Sequence, residues 1–250
     1  METPIIFREA GGALFDGFPA GVAAGFTTRD LVPDPLPPRD GLRALAEVLG
    51  APNAETVSAR QAHGRGVVVL AEPAAWGFDT RTGEADALLT DRRGRLLAVA
   101  SADCVPILLA DVTGTFVAAV HAGWRGTVAR LLDAVLDLLA ERGVAAGDLV
   151  AAFGPSIARD NYPVGPEVAA ALDKAFRGVP LPPGARAQGL GDRTLLDVTA
   201  YNRALLLARG VPTERIGEAS LCTFDRADLF PSYRRDGPKC GRIFTGIVKR

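Results

Sequence analysis

The chain has 250 residues, a formal net charge of -1 and an apolar share of 48%, which allows one large domain or two small ones with a sizeable core. A near-neutral balance offers no basic stripe and argues against nucleic acid as the main partner. Three scattered cysteines make no disulfide framework. The first residues carry acids and no uninterrupted apolar core, so they read as lacking a secretory signal. The most apolar window, 96–110, is interrupted by Asp103 and Pro106 and is too short to span a bilayer. A cytoplasmic protein without a membrane partner is expected. With only two histidines, His63 and His121, any mechanism needing several imidazoles is excluded.

In chain order, the segment to about residue 28 reads as strands separated by Gly-rich turns. Residues 33–38, four of them proline, form a stiff loop. Leu42, Leu45 and Leu49 share one face of a short helix over 40–49, closed by Gly50. Residues 55–64 and 67–70 read as two strands joined by a turn at His63-Gly64. A histidine there, taken by itself, suits a surface or hydrogen-bonded structural role. Residues 84–91 are a further strand. Two apolar runs follow, 101–111 and 116–121, and their length between turn signals suits buried strands. A helix is predicted over 127–142, with Val128, Leu131, Leu132, Val135, Leu138 and Leu139 on one face.

Beyond it come a strand from 148 ending in a Gly-Pro turn, a helix over 167–176, and a loose Gly- and Pro-rich stretch, 177–193, which suits a surface insertion. Asp197 is a plausible N-cap for a helix over 198–209, with Gly210 behind it. Strands over 216–221 and 242–248 flank a turn-rich segment. Strands and helices interleave irregularly, so the fold class is α/β (α+β type): a single domain, 1–250, of mixed sheets flanked by helices.

Several motifs then stand in order: Gly25-Phe-Thr-Thr-Arg29, Gln61-Ala-His-Gly64, Glu84-Ala-Asp-Ala-Leu-Leu-Thr90, Ala102-Asp-Cys-Val-Pro106, His121-Ala-Gly-Trp-Arg-Gly126, Gly154-Pro-Ser-Ile157, Leu196-Asp-Val198 with Asn202, Cys222-Thr223 and Ser232-Tyr-Arg-Arg-Asp-Gly237. Together they resemble the YfiH family, also described as laccase-domain or multicopper polyphenol oxidoreductase proteins. That family is regarded as purine nucleoside phosphorylases with adenosine deaminase activity. The resemblance implies that His63, Cys104 and His121 bind zinc, and that the substrates are purine nucleosides (adenosine, inosine, guanosine or S-methyl-5′-thioadenosine) with phosphate or water. Both histidines of the chain fall on those motifs.

The chain departs from the family where Ile157-Ala-Arg-Asp-Asn-Tyr-Pro-Val164 stands in place of Ile-Gly-Pro-Cys-Cys-Tyr-Glu-Val. It departs again at Cys240, where threonine is usual before Gly241-Arg242.

Two histidines and a cysteine suit Zn²⁺, with copper as a second choice, and three ligands leave a position open for water or substrate. A closed structural zinc would need Cys222 or Cys240 as fourth ligand. Deamination needs a carboxyl group to pass a proton to the leaving amine. Asp103 is the first choice, with Glu84 and Asp86 behind it. Phosphorolysis needs an anion cradle. Gly123, Arg125 and Gly126, leading into a helix, are the expected substrate-binding residues, with Arg234 and Arg235 as substitutes.

Rival readings remain. Two imidazoles cannot build a multicopper oxidase, although a single copper centre is possible. A cysteine hydrolase with Cys104 as nucleophile and His121 as base is suggested by the fold's kinship with bacterial toxin deamidases. A non-catalytic, metal-stabilised binding module is the third.

Overall fold

The computed structural model describes residues 5–7, 12–32, 38–70 and 80–250, those at 5–7, 38 and 80–82 as backbone. The chain forms β1 (Ile5–Phe7), β2 (Ala13–Phe15), β3 (Val22–Phe26), α1 (Pro38–Val48), β4 (Glu55–Arg60), β5 (Val67–Val69), β6 (Thr80–Glu84) and β7 (Ala87–Thr90). It continues with β8 (Arg95–Ser101), β9 (Val105–Asp111), β10 (Val117–Ala122), α2 (Trp124–Val128), α3 (Leu131–Ala140) and β11 (Leu149–Phe153). The last part holds β12 (Pro163–Val164), α4 (Pro166–Ala175), β13 (Arg186–Gln188), β14 (Thr194–Leu196), α5 (Val198–Ala208), β15 (Ile216–Glu218), α6 (Tyr233–Asp236) and β16 (Ile243–Lys249).

A seven-stranded sheet runs β1-β2-β3-β16-β8-β4-β6 and a six-stranded sheet β15-β11-β9-β10-β7-β5. Both are mixed: β4 lies parallel to β6 and β8, β5 to β7 and β11 to β15, while the other pairs are antiparallel. The sheets pack face to face. Leu97, Val99 and Ile247 of the larger meet Leu88, Leu108 and Ala119 of the smaller. On its other face the smaller sheet presents Ile107, Leu109, Ala118 and Val120 to Leu132 and Val135 of α3, Leu172 of α4 and Leu205 of α5. On its other face the larger sheet sets Leu96, Ala98 and Val248 against Leu42 and Leu45 of α1. The result is four layers, α/β/β/α. Strands buried on both faces need apolar residues at every position, which is why 105–110 and 117–120 read as continuous runs.

The expected mixed sheets with flanking helices are present, as are the apolar face of α1 and the Asp197 cap, whose carboxylate accepts from Ala200 N at 2.9 Å. Residues 33–37 of the predicted proline loop lie outside the described residues.

Four elements differ from the sequence reading. Residues 55–70 form the two expected strands joined by a turn, but β4 belongs to the larger sheet and β5 to the smaller. The predicted strand 84–91 is likewise divided, with β6 in one sheet and β7 in the other. The predicted helix 127–142 starts earlier and breaks at Arg130, which is left-handed at φ 60°. That residue is held there by Asp133, by the carbonyl of Ala175 and by the ring of Phe176. Finally, 186–188 within the loose stretch pairs with β14 in a small third sheet.

Candidate metal centre

Two turns, each at a point where the chain crosses between the two sheets, and one strand build the site. The first carries His63, a non-glycine residue at φ 59°. Its approach is fixed by Gln61, whose carboxamide exchanges bonds of 2.6 and 2.7 Å with Ala100 and so prolongs the β4–β8 pairing past the strand end. The second turn carries Asp103, at φ 86°, and Cys104 between β8 and β9. The third element is β10, which delivers His121. Because Val117 and Ala119 face the larger sheet, His121 points into the seam between the sheets.

Asp86, 1% exposed, joins these pieces. Its carboxylate accepts from the backbone N–H of Ala62 (3.2 Å), His63 (2.9 Å) and Gly64 (2.7 Å), and it bonds His121 Nδ1 at 2.9 Å. Its own carbonyl accepts from His121 N at 2.7 Å. One buried carboxylate therefore holds the unfavourable left-handed turn of His63 and fixes the ring of His121, leaving Nε2 to face Cys104. A buried anion is tolerated where it is this fully bonded.

One ligand atom from each of His63, Cys104 and His121 lies within 4.8 Å of the others. Gly123 completes the space: a methyl group there would stand 2.8 Å from Cys104 Sγ and 3.3 Å from His63 Cδ2. The requirement at this glycine is room, since its φ of -69° suits any residue.

Electrostatics favour a thiolate. Burial pushes the Cys104 thiol up, but hydrogen bonds to His121 and His63 outweigh it and bring it down to about 6. Burial pulls His121 down, while its bonds to Asp86 and Cys104 raise it to about 9. Burial also raises Asp86, and the bonds from His121 and Gly64 more than reverse that, leaving it below its usual value. Two imidazoles and a thiolate converging on one point, with the buried histidine oriented by a carboxylate, fit Zn²⁺ and equally admit copper.

Cys222 and Cys240 do not join this group among the described residues. Cys222 Sγ accepts from Ala158 N and Asn161 Nδ2, both at 3.4 Å, and Cys240 from Arg242 at 3.3 Å. A closed four-ligand zinc therefore has no fourth cysteine.

The triad lies in a cleft of about 860 Å³ also lined by Gln61, Asp103, Trp124, Arg125, Tyr162 and Arg234, among others. Of the three acids considered for proton transfer, Asp103 alone lines this cleft. Its oxygens accept from Thr223 Oγ1 and Arg234 N, each at 2.6 Å. Glu84 pairs with Arg60 at 3.1 Å and Asp86 stands behind the histidines. Arg125 and Gly123 face the cleft. Gly126 does not: a methyl there would lie 3.2 Å from the carbonyl of Gly64, so this glycine backs the His63 turn. Arg235 is bonded to the carbonyls of Thr223, Phe224 and Phe230 and is structural, whereas Arg234 lines the cleft.

The residues that depart from the family pattern also have partners. Asp160 pairs with Arg159 at 2.7 Å, Asn161 Nδ2 donates to Asp225 Oδ1 at 2.8 Å, and the Pro163 carbonyl accepts from Arg234 at 3.0 Å. The clamping role of Asp86 was missed in the sequence, where it stood only as a reserve proton donor. Its place as one of the two acids of that motif was the only signal.

This fold and site define an α/β/β/α protein with a group of two histidines and a cysteine that could hold a metal ion. Residues 32–250 match the family model described as multi-copper polyphenol oxidoreductase laccase, and the chain belongs to that family, as its motifs indicated. It is 39% identical over 223 residues to adenosine deaminase RL5 of an unknown prokaryotic organism, covering 87% of this chain and 84% of that protein. It is 36% identical over 254 residues to a purine nucleoside phosphorylase of Deinococcus radiodurans, covering 99% and 89%. The crystal structure of Bacillus licheniformis hypothetical protein YfiH superposes with a TM-score of 0.85 at 28% identity, covering 99% of each chain. That of YlmD from Geobacillus stearothermophilus gives 0.83 at 29%, covering 99% of this chain and 100% of the other. No helix among the described residues is long and apolar enough to cross a membrane.

Two substitutions test the centre. Asp86→Asn keeps the size of the side chain but loses an acceptor oxygen, and zinc affinity should fall about 10- to 100-fold in a chelator competition. Gly123→Ala crowds the thiolate, so bound zinc per chain should drop while the circular dichroism spectrum stays that of the parent.

Proposed function

We propose that the protein is a zinc-dependent purine nucleoside phosphorylase that also deaminates adenosine, working in the cytoplasm as a single domain. Its substrates are adenosine, inosine, guanosine or S-methyl-5′-thioadenosine, with phosphate or water. The observation that carries this reading is the His63–Cys104–His121 triad opening into a cleft whose charge balance is positive. Arg125, Arg234 and Arg242 line that cleft and have no carboxylate partner among the described residues. Arg60 is matched by Glu84, and Asp103 already accepts two bonds. Two or three guanidiniums against one carboxylate suit a phosphate dianion.

A bound zinc would supply Lewis acidity at its open position. His63, Cys104 and His121 would hold it, with Asp86 fixing the ring of His121 and the backbone turn that carries His63. Arg125, 4.4 Å from the centroid of the Trp124 ring, is positioned to meet phosphate together with Arg234. Asp103 keeps a free lone pair on each oxygen and is the cleft carboxylate through which a proton passes to the leaving amine in deamination. Phosphorolysis breaks the bond from ribose C1′ to purine N9 and joins phosphate to C1′.

One observation favours a second reading: a buried thiolate beside a protonated His121 is also the pair of a cysteine hydrolase. The purified, zinc-replete protein should convert adenosine to adenine only with phosphate, and to inosine without it, as read by chromatography. Both products should vanish in Cys104→Ala and after chelation, and return when zinc is restored. Activity that survives chelation but not thiol alkylation would favour the hydrolase. Zinc bound without turnover of any nucleoside would leave a binding module.

A further inference from the structure

Tyr162 belongs to the cleft but to none of the roles above. It follows the short turn 159–161, where its N–H donates to the carbonyl of Arg159 at 3.0 Å and its carbonyl accepts from Leu196 N at 3.2 Å. The guanidinium of Arg234 lies 5.0 Å from the centroid of its ring, and the Arg234 side chain donates onward to Pro163 O at 3.0 Å. The backbone and ring are thus fixed from two sides.

The half-buried ring lines the same cleft as Cys104, Asp103 and Arg125. Its hydroxyl has no hydrogen-bond partner among the described residues. The hydroxyl of Tyr201, by contrast, is also without a partner but is sealed in the core at 0% exposure and away from the cleft. Burial pushes the Tyr162 phenol up to about 12, with Cys104 adding to the rise, so it keeps its proton across the working range and is a donor throughout.

The reaction asks for such a donor. When the bond from C1′ to N9 breaks, its electron pair moves into the purine, and negative charge spreads over the imidazole ring to N7. A donor aimed at the place where charge develops lowers the barrier, and more so in a site shielded from water. The arginines of the cleft suit phosphate rather than the base, and Asp103 accepts rather than donates while ionised.

We propose that Tyr162 is a catalytic residue of the phosphorolytic reaction, its O–H donating a hydrogen bond to the departing purine. This rests on the phosphorylase reading above. The step balances without further reactants: phosphate oxygen bonds to C1′, the base leaves with the C1′–N9 pair, and the proton of monohydrogen phosphate ends on the base. Tyr162 lends a hydrogen bond and keeps its proton.

The test compares two leaving groups in the zinc-loaded enzyme and in Tyr162→Phe, which keeps the ring beneath Arg234. Inosine leaves as a base that needs a donor. The nucleoside 7-methylinosine already carries a methyl group and positive charge on its imidazole ring, so its base departs without one. Parent enzyme should cleave both with phosphate. In Tyr162→Phe, kcat for inosine should fall about 100-fold, with KM changed far less, while kcat for 7-methylinosine stays within about threefold of the parent. Equal losses on both substrates, or no loss on inosine, would overturn the role of Tyr162. If the parent cleaves neither nucleoside, the phosphorylase reading itself fails, which is a different result from either.

Discussion

The carboxylate of Asp86 is the constraint on which the site depends. The two histidines reach the seam from opposite sheets: His63 on the turn leaving the larger, His121 on a strand of the smaller. Nothing in either strand ladder fixes their mutual distance. Asp86 does so by accepting three backbone N–H groups of the first segment and the ring nitrogen of the second. Losing it would leave the buried ring nitrogen of His121 without its partner, at a cost of about 1–3 kcal/mol, and would release the three part-buried N–H groups of the His63 turn.

Asp103 repeats this logic on the other side of Cys104. Its left-handed backbone turns the chain sharply between β8 and β9, and its carboxylate draws in Thr223 and the start of α6. The segments at 156–163 and 222–235 are therefore tied to the same turn that presents the thiolate. Strain of this kind persists where surrounding bonds over-determine it. Positioning by two carboxylates also explains why acids stand close to the arginines of the cleft: each accepts from protein donors.

Much of this was legible in the sequence where the physics is local. A period-3.6 apolar face marked α1, with Gly50 behind it, and the cap residues Asp197 and Gly210 marked α5. Continuous apolar runs marked β9 and β10, whose two buried faces take apolar residues at 105–110 and 117–120. The candidate metal residues were legible for a different reason: the family resemblance implied His63, Cys104 and His121, and both histidines of the chain fall on its motifs. What stayed hidden was non-local. Residues 55–70 carry the pattern of two strands joined by a turn, yet the two strands join different sheets. Arg130 interrupts a helix whose apolar stripe runs on unbroken, because its partners lie at Asp133, Ala175 and Phe176. Asp86 and Tyr162 draw their significance from groups far along the chain, which no spacing reveals.

The central claim is that His63, Cys104 and His121 together form a metal site whose remaining position is open. X-ray absorption at the zinc edge of the zinc-loaded protein tests it most directly. The account predicts one sulfur at about 2.3 Å, two imidazole nitrogens at about 2.0–2.1 Å and one lighter scatterer from solvent. Two sulfurs, or a shell with a single imidazole, would place the metal elsewhere and contradict it.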